Sequence, residues 1–148
     1  MKIKTDFYPF EPIWDNRHFL FQSVGKKGIF NMLVMLESKE ELNRYNLALC
    51  VLQEGKLRDD VVTNNGDFSK ILMTVAVCLE VFFGKLPNAV VEIAASDEKR
   101  LRVYNGIFQR KHLEILLNFV VKGVLDERKE LYHPDNFYHK FEIQRRKA

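Results

Sequence analysis

Spacings that carry familiar chemistry are missing from this chain of 148 residues. It has no CxxC pair and no Cys/His metal spacing, so neither a zinc site nor a redox dithiol is expected, and the cofactor and metal expectation is none. A P-loop, a GxGxxG turn and a GxSxG elbow are also missing, which sets aside the common nucleotide-binding and serine-hydrolase plans. Apolar runs fall well short of the ~20 residues that cross a bilayer, so no membrane association is expected. The opening "MKIKTDFYPFEP" has no apolar signal core and carries acidic residues. Together with cysteines set inside apolar runs, that points to a cytoplasmic protein with free thiols.

What is present is ordinary globular material: 47% hydrophobic residues, 29% charged residues and 12 phenylalanines. A chain of this length buries about two-thirds of its unfolded surface, enough for one core without a staple. Charge is uneven. Residues 1–96 carry 11 basic and 12 acidic side chains, and residues 97–148 carry 12 and 8. A basic C-terminal part permits an anionic partner without requiring one.

Hydrophobic patterning predicts the elements. "RHFLFQSV" and "IFNMLVML" flank "GKKG" and read as a hairpin; "RYNLALCVL" alternates as a third strand; "DDVVT" is a candidate short strand. "DFSKILMTVAVCLEVFFGKLP" reads as a helix with Asp67 as N-cap and a stripe of Leu72, Val75, Leu79 and Phe82. "AVVEIAAS" is a buried-type strand, and "DEKRLRVYNGIFQRKHLEILL" a helix weakened at Gly106. "NFVVKGVL" and "FYHKFEIQ" close the chain as strands around the loop "DERKELYHPDN". The order β-β-β-(β)-α-β-α-β-β predicts a single α+β domain over 1–148: a mainly antiparallel sheet of about five to six strands with two helices packed on one face. Residues 1–16 read as an N-terminal extension and 144–148 as a charged tail.

Arg100 is the unexpected residue. On a helical wheel Leu101, Val103, Tyr104, Ile107 and Phe108 form one side, and Arg100 falls within that arc, with Asn105 opposite. Ser96 is placed to cap this helix, with Asp97 and Glu98 in its first turn. A guanidinium cannot shed its charge, so three fates stay open: snorkelling to water, an ion pair within the fold, or an anionic ligand. Asp67, Asp59 and Asp60 are the candidate partners, Asp67 foremost. The other polar junction is "VVTNNGD", whose Asn-Asn-Gly-Asp run suits left-handed backbone and helix capping. Thr63, Asn64, Asn65, Asp67, Ser96, Arg100 and Tyr104 form the candidate ligand- or partner-binding set. Lys99, Arg102, Arg110 and Lys111 are the candidate nucleic-acid contacts, their alternative being a solvated face. The four histidines are scattered and read as surface or packing residues.

"VVTNNGDFSKILMTVA", the helix start S-x-x-x-R-x-R-x-Y and "FVVKGVL…FYHKFEIQRRK" carry a resemblance. Over roughly residues 17–147 the chain resembles an uncharacterised family of small bacterial proteins, a domain of unknown function. Ala95, Ser96 and Asp97 stand where members tend to have Gly-Ser-Thr. The resemblance implies no activity; it adds weight to Thr63, Asn64, Asn65, Gly66, Asp67, Arg100 and Tyr104 as a recurring set.

The expectation is therefore a small non-enzymatic binding or regulatory protein acting through 63–67 and 96–104, with a protein partner or a second copy as occupant. A nucleic-acid-binding regulator, of the kind found in defence or toxin–antitoxin operons, is the alternative; a small hydrolase or acyltransferase comes third. Cys50 and Cys78 should be buried and free. Thiol titration in native buffer is expected to label neither quickly and to release two thiols on unfolding; two fast native thiols would contradict the placement of both runs in the core.

Overall fold

The computed structural model describes residues 6–58, 65–95 and 97–147. Nine strands and two helices follow in the order β1 (Phe10–Ile13), β2 (His18–Gly25), β3 (Gly28–Ser38), β4 (Arg44–Gln53), β5 (Lys56–Arg58), α1 (Phe68–Lys85), β6 (Val90–Ala94), α2 (Glu98–Asn118), β7 (Phe119–Leu125), β8 (Arg128–Leu131) and β9 (Lys140–Arg145). The strands bond in the order β1-β2-β3-β4-β6-β9-β7-β8, with β5 on β4. Most pairings are antiparallel, but β4 and β6 run parallel, Arg44 to Asn46 against Val90 to Glu92. The chain from β4 to β6 passes through α1, a crossover of the kind parallel neighbours require.

The expected architecture is thereby corrected. Among the described residues, a mixed sheet of nine strands with two helices replaces the expected mainly antiparallel sheet of five or six strands with two helices on one face. The chain forms two compact units, each with one helix. One comprises the described residues of Ser38–Leu47 and Asn88–Ala148, with α2; the other those of Lys2–Glu37 and Ala48–Pro87, with α1. The three unforeseen strands are short, and their sequences explain why. β5 is "KLR" with every residue exposed, β8 is "RKEL" and β1 is "FEPI", whose Pro12 suits an edge. None has the alternation that marks a half-buried strand. Residues 10–13, placed in the N-terminal extension, pair with Phe21 to His18 of β2. The candidate strand at 59–63 lies outside the described residues.

In the α1 unit, Phe19 and Phe21 of β2 pair with Val34 and Met32 of β3, and all four side chains are buried. α1 buries Ile71, Thr74, Cys78, Leu79, Phe82 and Phe83. The stripe is thus rotated from the expected one, with Leu72 and Val75 only half-buried. Tyr8 fixes this rotation, since its backbone N–H donates to Thr74 Oγ1 at 2.9 Å. Cys50 and Cys78 are both buried thiols outside any disulfide, and burial pushes the Cys78 thiol up to about 12.

In the α2 unit, Val91, Val121 and Ile143 pair side by side on β6, β7 and β9. Phe108 of α2 stacks on Phe141, ring centroids 4.1 Å apart, and Tyr132 and Tyr138 complete the cluster. α2 runs unbroken through Gly106. Asn105, expected to face solvent, is buried instead. Its amide donates to Tyr138 O and accepts from Tyr138 N, both at 2.8 Å, so it serves that backbone as a strand partner would. The Arg146 guanidinium donates to Leu116 O and Phe119 O, placing a cation at the C-terminal end of a helix whose last turn has no basic residue.

Tyr138, fully buried, occupies the space above Gly123 of β7: a Cβ there would stand 2.2 Å from the ring. Gly123→Ala is therefore expected to lower the unfolding free energy by about 1–3 kcal/mol, read from the denaturant midpoint. An unchanged midpoint would mean that the ring can move aside.

Candidate functional site

The TNNGD element begins outside the described residues, where Thr63 and Asn64 fall; Asn65, Gly66 and Asp67 are described. Gly66 takes φ +81°, the left-handed backbone that the run predicts. Asn65 is buried and works as a plug for the β2–β3 turn. Its amide nitrogen donates to Ser23 Oγ (3.1 Å) and Gly28 O (3.0 Å), its side-chain oxygen accepts from Lys27 N (2.7 Å), and its backbone oxygen accepts from Lys26 N (3.2 Å). That approach needs glycine at 25, where a Cβ would stand 2.0 Å from the Asn65 carbonyl oxygen.

Asp67 holds the N-cap position of α1 but makes no side-chain cap. Its Oδ2 accepts instead from the Tyr8 hydroxyl and from Ser23 Oγ, both at 2.5 Å. Burial, then the hydrogen bond to Asp67, raises the Tyr8 phenol above its ordinary 10, so Tyr8 remains a donor at neutral pH. Tyr8, Ser23, Asn65 and Asp67 thus form one connected network. Beside it opens a cleft of about 580 Å³ lined by Asp6, Tyr8, Val24, Gly66, Asp67, Phe68, Ser69 and Lys70. Phe68 is 46% exposed on its rim, and the Lys70 ammonium stands 4.4 Å over the Tyr8 ring.

At the second junction Ser96, the expected cap, lies outside the described residues, and Asp97 is the N-cap of α2. Asp97 Oδ1 accepts from Arg100 N and Oδ2 from Arg100 Nε, each at 2.8 Å. Asp97, its neighbour one turn back, is thus a carboxylate that pairs with Arg100; the candidates Asp59 and Asp60 lie outside the described residues, and Asp67 accepts from Tyr8 and Ser23. The Arg100 backbone N–H and then its guanidinium hold Asp97 below the usual carboxylate range. Tyr104 follows one turn on, half-buried. Lys99, Arg102 and Arg110 are exposed along α2, and Lys111 is half-buried.

A third constellation was not foreseen. Glu92 of β6 and Glu142 of β9 are directly paired across the sheet, and both are buried. Lys39 (3.1 Å), Lys140 (2.9 Å) and Arg44 (3.2 Å) reach Glu92; Arg44 (2.9 Å) and Lys129 (2.9 Å) reach Glu142. Burial alone would raise Glu92, but hydrogen bonds and charge from Lys140 and Lys39 outweigh it and hold the carboxyl at about 2. Glu142 is likewise held low, burial being outweighed by Lys129 and Arg44. The signal was available: a glutamate in the middle of "AVVEIAA" is a charge inside an otherwise apolar run. Tyr8 and Ser23 carry no comparable signal, because their role depends on a partner more than 40 residues away.

Residues 4–146 match the model of a family described as a family of unknown function (DUF6934). No match was found among curated proteins or among solved structures.

The buried acids set a pH dependence. A carboxyl at an ordinary 4.5 when unfolded and about 2 when folded contributes stability above the first value and loses it as pH falls through the second. For Glu92 that amounts to about 3 kcal/mol lost between roughly pH 5 and pH 2. Glu92→Gln should flatten this limb in denaturant titrations at stepped pH, and lower stability at pH 7 by up to about 3 kcal/mol. An unchanged acid limb would show that the pair does not govern it.

Proposed function

The chain belongs to DUF6934, a family whose function is unknown, and we propose that it is a small non-enzymatic binding protein whose recognition surface lies at the loop 65–67 and the first turn of α1. One observation carries this reading: the polar groups of the junction are committed to one another, and Tyr8 and Asp67 line the cleft with hydrogen-bonding atoms already engaged. Ser23 is fully buried, and Tyr8 and Asp67 hold each other in place. A recognition surface needs this kind of support, a rim held rigid by a second layer of hydrogen bonds. Phe68 and Val24 supply exposed apolar surface, and Lys70, Ser69 and Asp67 supply polar groups around it. An aromatic anchor with a polar rim suits a partner segment that presents an apolar side chain. Arg100 and Tyr104, in the other unit, belong to the reading as a separate surface at the start of α2.

A second reading, nucleic-acid binding, draws on the exposed Lys99, Arg102 and Arg110, which lie along one face of α2. Amide chemical-shift mapping separates the two. With a fragment set of aromatic and aliphatic amides, shifts should concentrate at Tyr8, Val24 and residues 66–70, and Phe68→Ser should weaken the best fragment about tenfold. If those amides stay still while a single-stranded oligonucleotide moves Lys99, Arg102, Arg110 and Lys111 in a salt-sensitive way, the cleft reading fails and the nucleic-acid reading replaces it.

A further inference from the structure

The turn between β1 and β2 builds a second cleft, away from the residues used above. Trp14, Asp15 and Asn16 take φ of +50°, +62° and +61°, three consecutive left-handed residues, none of them glycine. Each such conformation costs about 1 kcal/mol or more, so the surrounding structure has to hold it. Arg17 N donates to Trp14 O at 3.2 Å, and Leu36 N donates to Arg17 O at 2.8 Å. The turn presents Trp14 71% exposed, its ring edge-on to His18 with centroids 4.6 Å apart. Below it lies a cleft of about 470 Å³ lined by Trp14, Asp15, Arg17, His18 and Glu37.

His18 gives this cleft its chemistry. The residue is 6% exposed, and its Nε2 meets Glu37 Oε1 at 3.1 Å. A carboxylate only accepts, so Nε2 carries the proton, and in the neutral ring Nδ1 is then an acceptor. Among the described residues, that Nδ1 is the only buried side-chain nitrogen or oxygen without a hydrogen-bond partner. The carboxylates of Asp15 and Glu37 add further acceptors. Arg17, the one cation in the lining, already has an interaction of its own. A metal is not the natural occupant, since no group of three His, Cys, Asp or Glu side chains among the described residues is arranged to hold one.

We infer that this cleft binds an organic cation with N–H donors, a protonated amine or a guanidinium group, lying over Trp14 and donating to Glu37 and Asp15. The indole supplies cation–π attraction and the carboxylates supply charge-assisted acceptors; His18 Nδ1, buried and without a partner among the described residues, is an acceptor that an N–H reaching past the lining would satisfy. The same chemistry is carried by a free amine and by the basic side chain of a peptide.

Trp14 is the only tryptophan in the chain, so emission excited selectively at tryptophan, away from the five tyrosines, reports on the side chain that lines this cleft. Titration with Nα-acetyl-arginine amide, tetramethylammonium and a tetra-arginine peptide should give saturable emission changes, with tetramethylammonium weakest because it has no N–H. Glu37→Gln and Asp15→Asn, both at exposed carboxylates, should each weaken the arginine amide about threefold to fivefold without shifting the melting temperature. The imidazole ¹⁵N signals of His18 should move in the same titration. A tetra-arginine response about tenfold tighter than the single residue assigns the site to a basic peptide segment, and an equal response assigns it to a small amine. The inference is overturned if no cation gives a saturable change, if Glu37→Gln binds as the parent does, or if inorganic phosphate alone shifts the emission through Arg17.

Discussion

Two carboxylates placed side by side in a sheet repel each other unless cations are brought to them, and the α2 unit is organised around that requirement. Glu92 and Glu142 face each other across β6 and β9, and their cations come from four places in the chain: Lys39 before β4, Arg44 at its start, Lys129 on β8 and Lys140 on β9. A one-residue slip of β9 would turn Glu142 to the opposite face, into the place Phe141 holds against Phe108 and Tyr132, and turn Phe141 out of it. The ion network therefore specifies register as well as neutralising charge. It also holds β8, an edge strand with little apolar surface of its own, through Lys129.

The same network changes the meaning of the basic C-terminal half. Of the 12 basic residues in 97–148, Lys129 and Lys140 answer the buried glutamates, Arg100 pairs with Asp97, and Arg146 closes the end of α2. An excess of positive charge in sequence thus becomes, in part, internal compensation for acids placed elsewhere. The exposed Lys99, Arg102 and Arg110 are what remains on α2 for an outside partner.

Alternation and amphipathic length made the longer elements legible: β2, β3, β4, β6, β7, β9 and both helices lie close to where the pattern puts them. β1, β5 and β8 were not, because an exposed edge strand has no buried face to write a period into the sequence. The parallel pairing of β4 with β6 was also hidden, since a strand pattern carries no direction. At the candidate site, Asp67 was recognisable as the residue before α1, yet its carboxylate serves Tyr8 and Ser23 and not the helix. Arg100 was recognisable as a charge on an apolar arc, and it pairs with a local acid, Asp97, that the arc did not point to. The rule that flagged Arg100 applies with more force to Glu92, which is 2% exposed and is neutralised by the cations brought to it.

Glycine connects these features, since the polar plugs and buried rings depend on backbone that lets them close. Asn65 can bond the β2–β3 turn because position 25 has no Cβ, and Tyr138 can lie on β7 because position 123 has none. In both places a side chain from a distant segment fills the space and finds partners for its polar atoms, Tyr138 through Glu130 and His133 N, Asn65 through Ser23, Lys27 and Gly28. Where the described residues satisfy their buried polar side-chain atoms this thoroughly, the one left over among them becomes informative. Asn65, Asn105, Glu92 and Glu142 are explained by the partners they hold, and they need no ligand to account for them. His18 is held only through Nε2, under an exposed tryptophan and beside two carboxylates, so the folded chain accounts for half of that side chain and leaves the other half to an occupant.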